Sequence, residues 1–333
     1  MNTGAKPFTM HDVARLAGVS PMTVSRALNT PERVSPEMLA RVREVVRRTN
    51  FVPNAMASGL RRARARLVAA LLPTLVGPVF QEMVEALDRA LHERGYQLMI
   101  GQSGYDATRE EALLRGIIQR RPDGIILVGA MRSEEGRRAL RASGIPVVEA
   151  WELTATPVDM LVGFSHAAIG ASVVDYLHAR GHRCIGMVSA GDQRALTRVN
   201  AFAERAQALG ITAVAPAFTP APSTMGAGRA GLAELLARSP QVTAVFCSSD
   251  MLALGASIEA RERRLAVPKK LAIIGMGDQS VAADAAPPLT TVRIDGTRIG
   301  RIAAEMVVAR ADGQAPGQAV VDIGFSIVER AST

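Results

Sequence analysis

The chain has 333 residues, of which 48% are hydrophobic and 21% are charged. This length suits two or three domains, and the composition supplies a sizeable core, which excludes a globally disordered protein. Twelve of the 39 basic residues but only four of the 31 acidic residues lie within residues 1–66. The whole net charge of +8 is therefore concentrated in the first fifth of the chain, which indicates a polyanion as the partner of that segment.

Three helix starts follow one another in this basic segment. Thr9 to Asp12 fits a capping box, with a hydroxyl at the cap and an acid three residues later. Ser20-Pro21 and Ser35-Pro36 open a second and a third helix, each with a capping hydroxyl before a proline. The apolar faces predicted by helical spacing are Val13, Leu16 and Ala17; Val24, Ala27 and Leu28; and Leu39, Val42, Val45 and Val46.

Gly18 supplies a turn between the first two helices, and the second helix presents Met22 and Arg26 on its exposed face. Two short helices around a glycine turn are typical of a helix-turn-helix motif whose second helix reads DNA. The alternatives are a structural three-helix bundle and a basic segment that is merely solvated or lies on a membrane. The concentrated charge favours DNA.

Beyond residue 66, apolar runs of strand length alternate with helical stretches. The predicted strands are 68–72, 96–101, 124–128, 146–151, 160–164, 184–189, 244–247, 271–276 and 320–328. The predicted helices are 79–94, 108–120, 133–142, 167–180, 199–209, 224–238, 251–264 and 296–311. This alternation predicts an α/β body with two sets of parallel strands, hence two lobes. A ligand would bind in the cleft beyond the carboxyl ends of the strands.

Polar and aromatic residues stand at those expected strand ends. The candidates for effector binding are Thr74, Phe80, Trp151, Arg194, Arg198, Phe218, Ser249 and Asp278. Arg194 and Arg198 lie four residues apart, so we expect them on one helical face, where they suit a carboxylate or phosphate. For Phe80 and Phe218, a plain core position is the alternative.

Other chemistries find little support. Cys184 and Cys247 lie in apolar runs and are predicted to be buried thiols. No paired nucleophile and base, phosphate loop, dinucleotide fingerprint or histidine cluster is found, so we expect no enzyme, no cofactor and no metal. No secretion signal opens the chain, and the longest apolar stretch, 67–80, is interrupted by Pro73, Gly77 and Pro78, which predicts a cytoplasmic protein outside the membrane. Asp250 is expected to cap a helix.

Two motifs resemble a known family. Residues 9–29 read TMHDVARLAGVSPMTVSRALN, and residues 50–60 read NFVPNAMASGL. They resemble the headpiece and the hinge of the lactose-repressor (LacI/GalR) family, and the resemblance continues over nearly the whole chain. It implies an all-α helix-turn-helix headpiece and a two-lobed, periplasmic-binding-protein-like body with doubly wound parallel sheets. The implied function is an effector-responsive transcriptional repressor that binds a near-palindromic operator as a homodimer.

The resemblance also assigns roles in DNA binding. Pro21, Met22 and Arg26 would face base edges in the major groove. The positions expected to hold phosphates are Thr9, Ser20, Thr23, Ser25, Asn29 and Ser35. A hinge helix, 54–60, would carry Asn54 as its cap, Ala57, and Leu60 as a wedge in the minor groove. Seven residues cannot hold a helix alone in water, so the hinge should order on DNA or against the partner subunit.

In that family the positions of Phe80, Trp151, Arg198, Phe218 and Ser249 line the effector pocket. Gly275-Met-Gly-Asp278, Glu149-Ala-Trp151 and the run 192–198 resemble the gluconate-type branch. The implied effector is a sugar acid or its phosphate. Two positions depart from the wider family: Ala150 replaces a usual pocket acid, and Asp278 is one residue out of step.

The implied domains are the headpiece 1–53, hinge and linker 54–66, a first lobe 67–162 with about 293–322, and a second lobe 163–292 with about 323–333. The chain would cross between lobes near Gly163, Arg293 and Phe325. The alternative is a cytoplasmic sugar-binding protein or sugar-processing enzyme with an incidental basic N-terminus. A DNA-binding activator is a further alternative, because the sign of regulation depends on where the operator lies.

Overall fold

A computed structural model describes residues 8–49, 51, 65–75, 80–315 and 317–333. The chain divides into two compact units, Met1–Ala63 and Arg64–Thr333. Within the described residues, no helix combines the length and the apolar character needed to cross a membrane.

The first unit is helical. Its elements are α1 (Met10–Ala17), α2 (Pro21–Asn29), a short 3₁₀ helix (Pro31–Arg33) and α3 (Pro36–Thr49). Its core is formed by Val13, Ala14, Ala17, Val24, Ala27, Val42 and Val45. The predicted apolar face of α1 needs a correction, because Leu16 is 46% exposed and Ala14 is buried. At 100° per residue, the buried arc runs from Val13 through Ala17 to Ala14 and leaves Leu16 outside.

The second unit contains a first sheet of six parallel strands. Its strands are β1 (Leu67–Leu72), β2 (Gln97–Gln102), β3 (Gly124–Val128), β4 (Val147–Ala150), β5 (Met160–Gly163) and β12 (Val320–Asp322). Their order across the sheet is β12-β5-β4-β3-β1-β2. The accompanying helices are α4 (Gln81–His92), α5 (Ala107–Gln119), α6 (Glu134–Ser143) and α12 (Gly296–Ala311). The strands β3, β4 and β5 are buried along their full length, as expected for a sheet covered on both faces.

A second sheet follows the same plan. Its strands are β6 (Cys184–Ala190), β7 (Thr212–Ala213), β8 (Ala217–Thr219), β9 (Ala244–Cys247), β10 (Ala272–Gly277), β11 (Thr290–Arg293) and β13 (Ser326–Val328). The order is β13-β11-β10-β9-β6-β7, and β8 also pairs with β6. Only β13 runs antiparallel among these described pairings. The helices are α7 (His166–Ala179), α8 (Gln193–Ala208), α9 (Met225–Arg238), α10 (Asp250–Glu262) and α11 (Ser280–Ala283).

The chain passes between the sheets after β5, after β11 and between β12 and β13. The predicted single strand 320–328 was wrong: β12 pairs with β5, whereas β13 pairs with β11 in the other sheet. Gly324, with a φ of 67°, lies at the break. Strands β7, β8 and β11 were not predicted, since they are short and lack long apolar runs.

Three further expectations need correction. The helix predicted for 199–209 begins at Gln193, because Asp192 caps it by accepting from Arg194 N and Ala195 N. Ser249, not Asp250, caps α10 by accepting from Leu252 N. Cys247 is buried as a free thiol, but Cys184, also free, is only partly buried.

Glycines let neighbouring helices approach closely. On α9 and α10, a Cβ added at Gly228 would overlap Leu252 O, and one at Gly255 would overlap Met225 O. The two helices are thus in backbone contact at both glycines. A Cβ at Gly226, on the same helix as Gly228, would meet only Thr224 Oγ1, at 3.9 Å.

These neighbours provide a matched test. We expect Gly228→Ala to lower the free energy of unfolding by about 1–3 kcal/mol, because the added methyl group forces the two helices apart. Gly226→Ala should be neutral or stabilising by up to about 1 kcal/mol, since it only restricts the unfolded chain. Urea unfolding followed by circular dichroism measures both. Equal effects of the two substitutions would contradict the close helix contact.

Candidate DNA-reading helix and effector cleft

The position of α2 is set by its neighbours. Thr9 N donates to Asp12 Oδ2 at 3.0 Å, and Asp12 N donates to Thr9 Oγ1 at 3.3 Å, which completes the predicted capping box. Hydrogen bonds from the Thr9 hydroxyl and N–H lower the pKa of Asp12 to about 2. At the other end of α1, Arg41 Nη2 donates to Ala17 O at 2.6 Å beside the left-handed turn at Gly18. Cap and turn together hold α1 and α3 around α2.

Helix α2 buries one side and exposes the other. Val24 and Ala27 are buried in the headpiece core. Met22 is 60% exposed, Arg26 is exposed and Pro21 is half-buried at the start of the helix. An exposed arginine on such a helix can bond guanine O6 and N7 in the major groove. Pro21, Met22 and Arg26, the residues predicted to face base edges, therefore all have solvent-exposed surface available for contact with DNA.

The predicted phosphate contacts differ in exposure. Thr9, Ser20 and Ser35 are exposed, and each accepts a hydrogen bond from the first turn of a helix, where anions are favoured. Thr23 is half-buried and lies 2.9 Å from Ser20 Oγ, whereas Ser25 is buried. Four further predicted contacts lie outside the described part of the chain: Asn54, Ala57, Leu60 and the side chain of Asn29.

In the second unit, a cleft lies at the carboxyl ends of strands from both sheets. Six of the eight predicted effector residues line it: Thr74, Phe80, Trp151, Arg194, Arg198 and Ser249. Their convergence follows from topology, since the carboxyl ends of parallel strands and the following loops meet at one edge.

Arg198 lies deep in this cleft, 5% exposed. Its Nη1 donates to His166 Nδ1 at 2.7 Å, a ring nitrogen and not a carboxylate. Within the described residues its Nε is buried without a hydrogen-bond partner. Burial lowers the pKa of Arg198 to about 10, so the guanidinium remains charged at neutral pH. A buried cation with an unpartnered N–H group suits an anionic ligand.

His166 is the first residue of α7 and is neutral. Because arginine only donates, His166 Nδ1 must accept, and the proton of the neutral ring lies on Nε2. Burial, followed by the charges of Arg198 and Arg194, lowers the pKa of His166 to about 2. His166 therefore orients the guanidinium of Arg198 without neutralising it.

Arg194 brings a second guanidinium one turn earlier on α8. Its Nη1 is buried without a hydrogen-bond partner among the described residues. Its Cζ lies 5.7 Å from the centre of the Phe80 ring, and its Nε lies 3.6 Å from Asp192 Oδ1. That carboxylate oxygen also caps α8 through two backbone N–H groups. The cleft thus presents two guanidinium groups with unpartnered N–H groups.

Trp151 forms an aromatic wall of the same cleft. Its ring packs edge-on against Phe80 and Phe164, with centroids 4.9 and 5.7 Å apart. Its φ of 77° is rare for a residue with a side chain. Such backbone strain costs on the order of 1–3 kcal/mol and is concentrated at ligand sites.

Two predicted effector residues do not line the cleft. Phe218 is 49% exposed, because Ala217 and Thr219 occupy the buried positions of β8 and alternation turns Phe218 outward. The carboxylate of Asp278 accepts from Arg293 Nη1 at 3.0 Å and from Arg330 Nη2 at 2.6 Å. Neither Phe218 nor Asp278 is therefore among the residues that line the cleft.

A larger open groove of about 1890 Å³ lies at the amino ends of β3 and β4. Its acids serve the fold: Asp123 accepts from Leu67 N, and Asp159 accepts from Val147 N and Arg310. Because ligands of open α/β sheets bind at the carboxyl ends, the smaller cleft is the better candidate site.

Known proteins share this organisation. Residues 9–54 match the bacterial regulatory proteins of the lacI family, and residues 174–333 match a periplasmic binding protein-like domain. The HTH-type transcriptional regulator GntR of Pseudomonas aeruginosa is 36% identical over 98% of this chain and 95% of its own length. The chain belongs to the LacI family of bacterial regulatory proteins.

Solved structures agree with this assignment. A LacI-family regulator from Silicibacter pomeroyi superposes with a TM-score of 0.90 at 30% identity, covering 98% of this chain and 99% of that one. The regulator GntR from Chromobacterium violaceum superposes with a TM-score of 0.76 at 35% identity, covering 80% and 98%. The predicted fold class is confirmed, and the resemblance to the gluconate-type branch is supported.

The cleft of this protein also contains residues that the sequence analysis did not select. Tyr105, His166, Asp192 and Ser248 line it beside the predicted residues. The sequence analysis assigned His166 no role, because it found neither a histidine cluster nor a paired nucleophile and base. Its place directly after the end of β5, as the first residue of a helix, was the available signal.

The His166–Arg198 contact predicts a pH effect on stability. The unfolded histidine binds a proton below about pH 6.5, whereas folded His166 stays neutral down to about pH 2. The unfolded state therefore binds more protons across that range, and stability is complete above pH 6.5 and falls as the pH is lowered. Between pH 7.5 and 5.5 the contribution of His166 should fall by about 1.4 kcal/mol. Urea unfolding at the two pH values measures it.

Two variants serve as controls. His166→Asn retains an acceptor near the position of Nδ1 and should lose that pH-dependent contribution while keeping most of the stability at pH 7.5. His166→Leu leaves an N–H of Arg198 unpartnered and should lower stability by about 1–3 kcal/mol at both pH values. An unchanged pH dependence in His166→Asn would show that His166 is not the titrating group.

Proposed function

We propose that this LacI-family regulator is a repressor that responds to a sugar acid, such as gluconate or a phosphorylated derivative. The observation that carries the effector class is the pair of Arg194 and Arg198, which offers unpartnered guanidinium N–H groups inside the cleft. Relatives named GntR support the same class. A sugar-processing enzyme or sugar-binding protein with an incidental basic N-terminus is disfavoured by the match of residues 9–54 to a regulatory family.

The proposed domains are the headpiece 1–53, hinge and linker 54–66, a first lobe 67–162 with about 293–322, and a second lobe 163–292 with about 323–333. Sheet membership supports this division, because β12 belongs to the first sheet and β13 to the second.

We further propose a homodimer on a near-palindromic operator. The edge strands β2 and β8 carry the exposed apolar residues Ile100 and Phe218. Ser103 and Thr219, at the ends of these strands, border one common groove, so the two edges lie on the same side of the body. Exposed apolar residues on adjacent edges favour pairing with a second copy. Two headpieces would then contact two half-sites.

Arg26 is expected to provide sequence discrimination. Arg26→Ala should weaken binding to an operator selected from random DNA by about 1–3 kcal/mol, because a base-edge contact is lost, and should weaken binding to scrambled DNA much less. Fluorescence anisotropy at constant salt measures both affinities. Arg43→Ala is the matched control, since Arg43 is also exposed but lies on α3. Equal losses on both DNAs for Arg26→Ala would contradict the base contact.

Arg198 is expected to bind the acidic group of the effector. A thermal-shift screen of sugar acids and phosphates should identify a ligand of the wild type. At a ligand concentration a hundredfold above Kd, this ligand should stabilise the folded protein by about 2.7 kcal/mol. Arg198→Met should abolish this shift and the effect of the ligand on operator binding, while operator binding without effector persists. Arg205→Met, an exposed position on the same helix, should respond as the wild type does. A full effector response in Arg198→Met would disprove the role of this residue.

A further inference from the structure

The cleft continues past Trp151 into a second chamber. This chamber is lined by Glu82, Trp151, Ser248, Ser249, Met276, Gly277, Gln279, Ile294 and Gly296. It shares Trp151, Ser248, Ser249 and Met276 with the chamber that holds the two arginines. The two chambers are thus adjoining halves of one elongated site, with Trp151 in the wall of both.

Gln279 is the unexplained polar group of the second chamber. It is 9% exposed, and within the described residues neither its Oε1 nor its Nε2 has a hydrogen-bond partner. A buried amide without partners costs free energy, which a ligand that hydrogen-bonds to it would recover. Its neighbour Asp278 is instead paired with two arginines and does not line the chamber.

The backbone of Gln279 is firmly held. Gln279 N donates to Asp250 Oδ2 at 2.8 Å, and Asp250 Oδ1 accepts from Thr291 Oγ1 at 2.5 Å. Asp250 is fully buried on α10, and Thr291 lies on β11. This chain of bonds fixes the start of the Gln279 side chain, so its amide is presented to the chamber from a rigid position.

The charges of the two chambers are opposite. The first is lined by Arg194, Arg198 and Asp192, whereas Glu82, an exposed residue, is the charged residue in the lining of the second. The carboxylate lies close to Gly296, where an added Cβ would be 3.6 Å from Glu82 Oε2. The amino end of α12 also borders this chamber, but Gly296 N already donates to Ile294 O and Asp295 caps the helix. A second anionic group is therefore disfavoured here.

We infer that Gln279 binds the distal hydroxyl groups of an open-chain polyhydroxy acid and that Glu82 rejects an effector phosphorylated at that end. An amide donates and accepts, as a hydroxyl group does, and the Glu82 carboxylate accepts from a hydroxyl but repels a phosphate. The inference rests on the proposed binding of a sugar acid through Arg194 and Arg198, and it selects the unphosphorylated class.

Calorimetry with the full-length chain tests the inference, with glycerate, D-gluconate and gluconate 6-phosphate as probes. Glycerate carries the acid but is too short to extend far beyond it. Gln279→Met preserves side-chain length and removes the amide. It should weaken gluconate binding about two- to tenfold, the effect of one hydrogen bond, and leave glycerate affinity unchanged. Glu82→Gln should strengthen gluconate 6-phosphate binding several-fold without changing glycerate affinity.

The outcomes separate two failures. If the wild type binds none of the three acids, the proposed sugar-acid effector is wrong and this inference falls with it. If the acids bind but Gln279→Met changes gluconate and glycerate affinities equally, or changes neither, Gln279 has no role in distal recognition. If the wild type binds the phosphorylated acid as tightly as gluconate, the role of Glu82 is overturned. Thermal unfolding without ligand checks that both variants are folded.

Discussion

The second unit buries a positive charge, Arg198, that has no acidic partner among the residues the structure describes. Arg198 lies on α8 where this helix packs against α7, so that its guanidinium is oriented by a neutral histidine and its backbone contacts Gly170. Isolated charges are expensive to bury, so most buried arginines are paired with acids. Within the described residues Arg198 forms no salt bridge, and the aromatic packing of Trp151, Phe80 and Phe164 keeps the surroundings apolar.

The two units carry positive charge in different physical settings. The headpiece concentrates exposed positive charge, and its interaction with phosphates should be long-ranged and weakened by salt. The body as a whole is neutral and uses two arginines in a cleft, where fewer charges act more strongly because water is excluded. A small metabolite can therefore be bound tightly in the cleft without competing for the surface that faces DNA.

Much of this was predictable because it is local. The capping box at Thr9, the Ser20-Pro21 helix start and the turn at Gly18 depend on neighbouring residues only, and the structure contains all three. The continuous apolar strands β3 and β5 were equally clear. Elements stabilised by long-range pairing were missed: β11 is short, and the break between β12 and β13 is visible only because the two strands pair with different sheets.

For the site, the sequence by itself determined which residue types stand at strand ends, and six of the eight residues chosen on that basis line the cleft. Tertiary structure decided which side chains face the ligand. Asp278 and Gln279 are adjacent in the chain, yet two arginines from elsewhere hold the acid and leave the amide in the cleft. The role of His166 depends on the fold, which places its Nδ1 2.7 Å from Nη1 of Arg198. Spacing along the chain specifies helices, caps and strand ends, whereas contacts between distant residues depend on the packing of the whole domain.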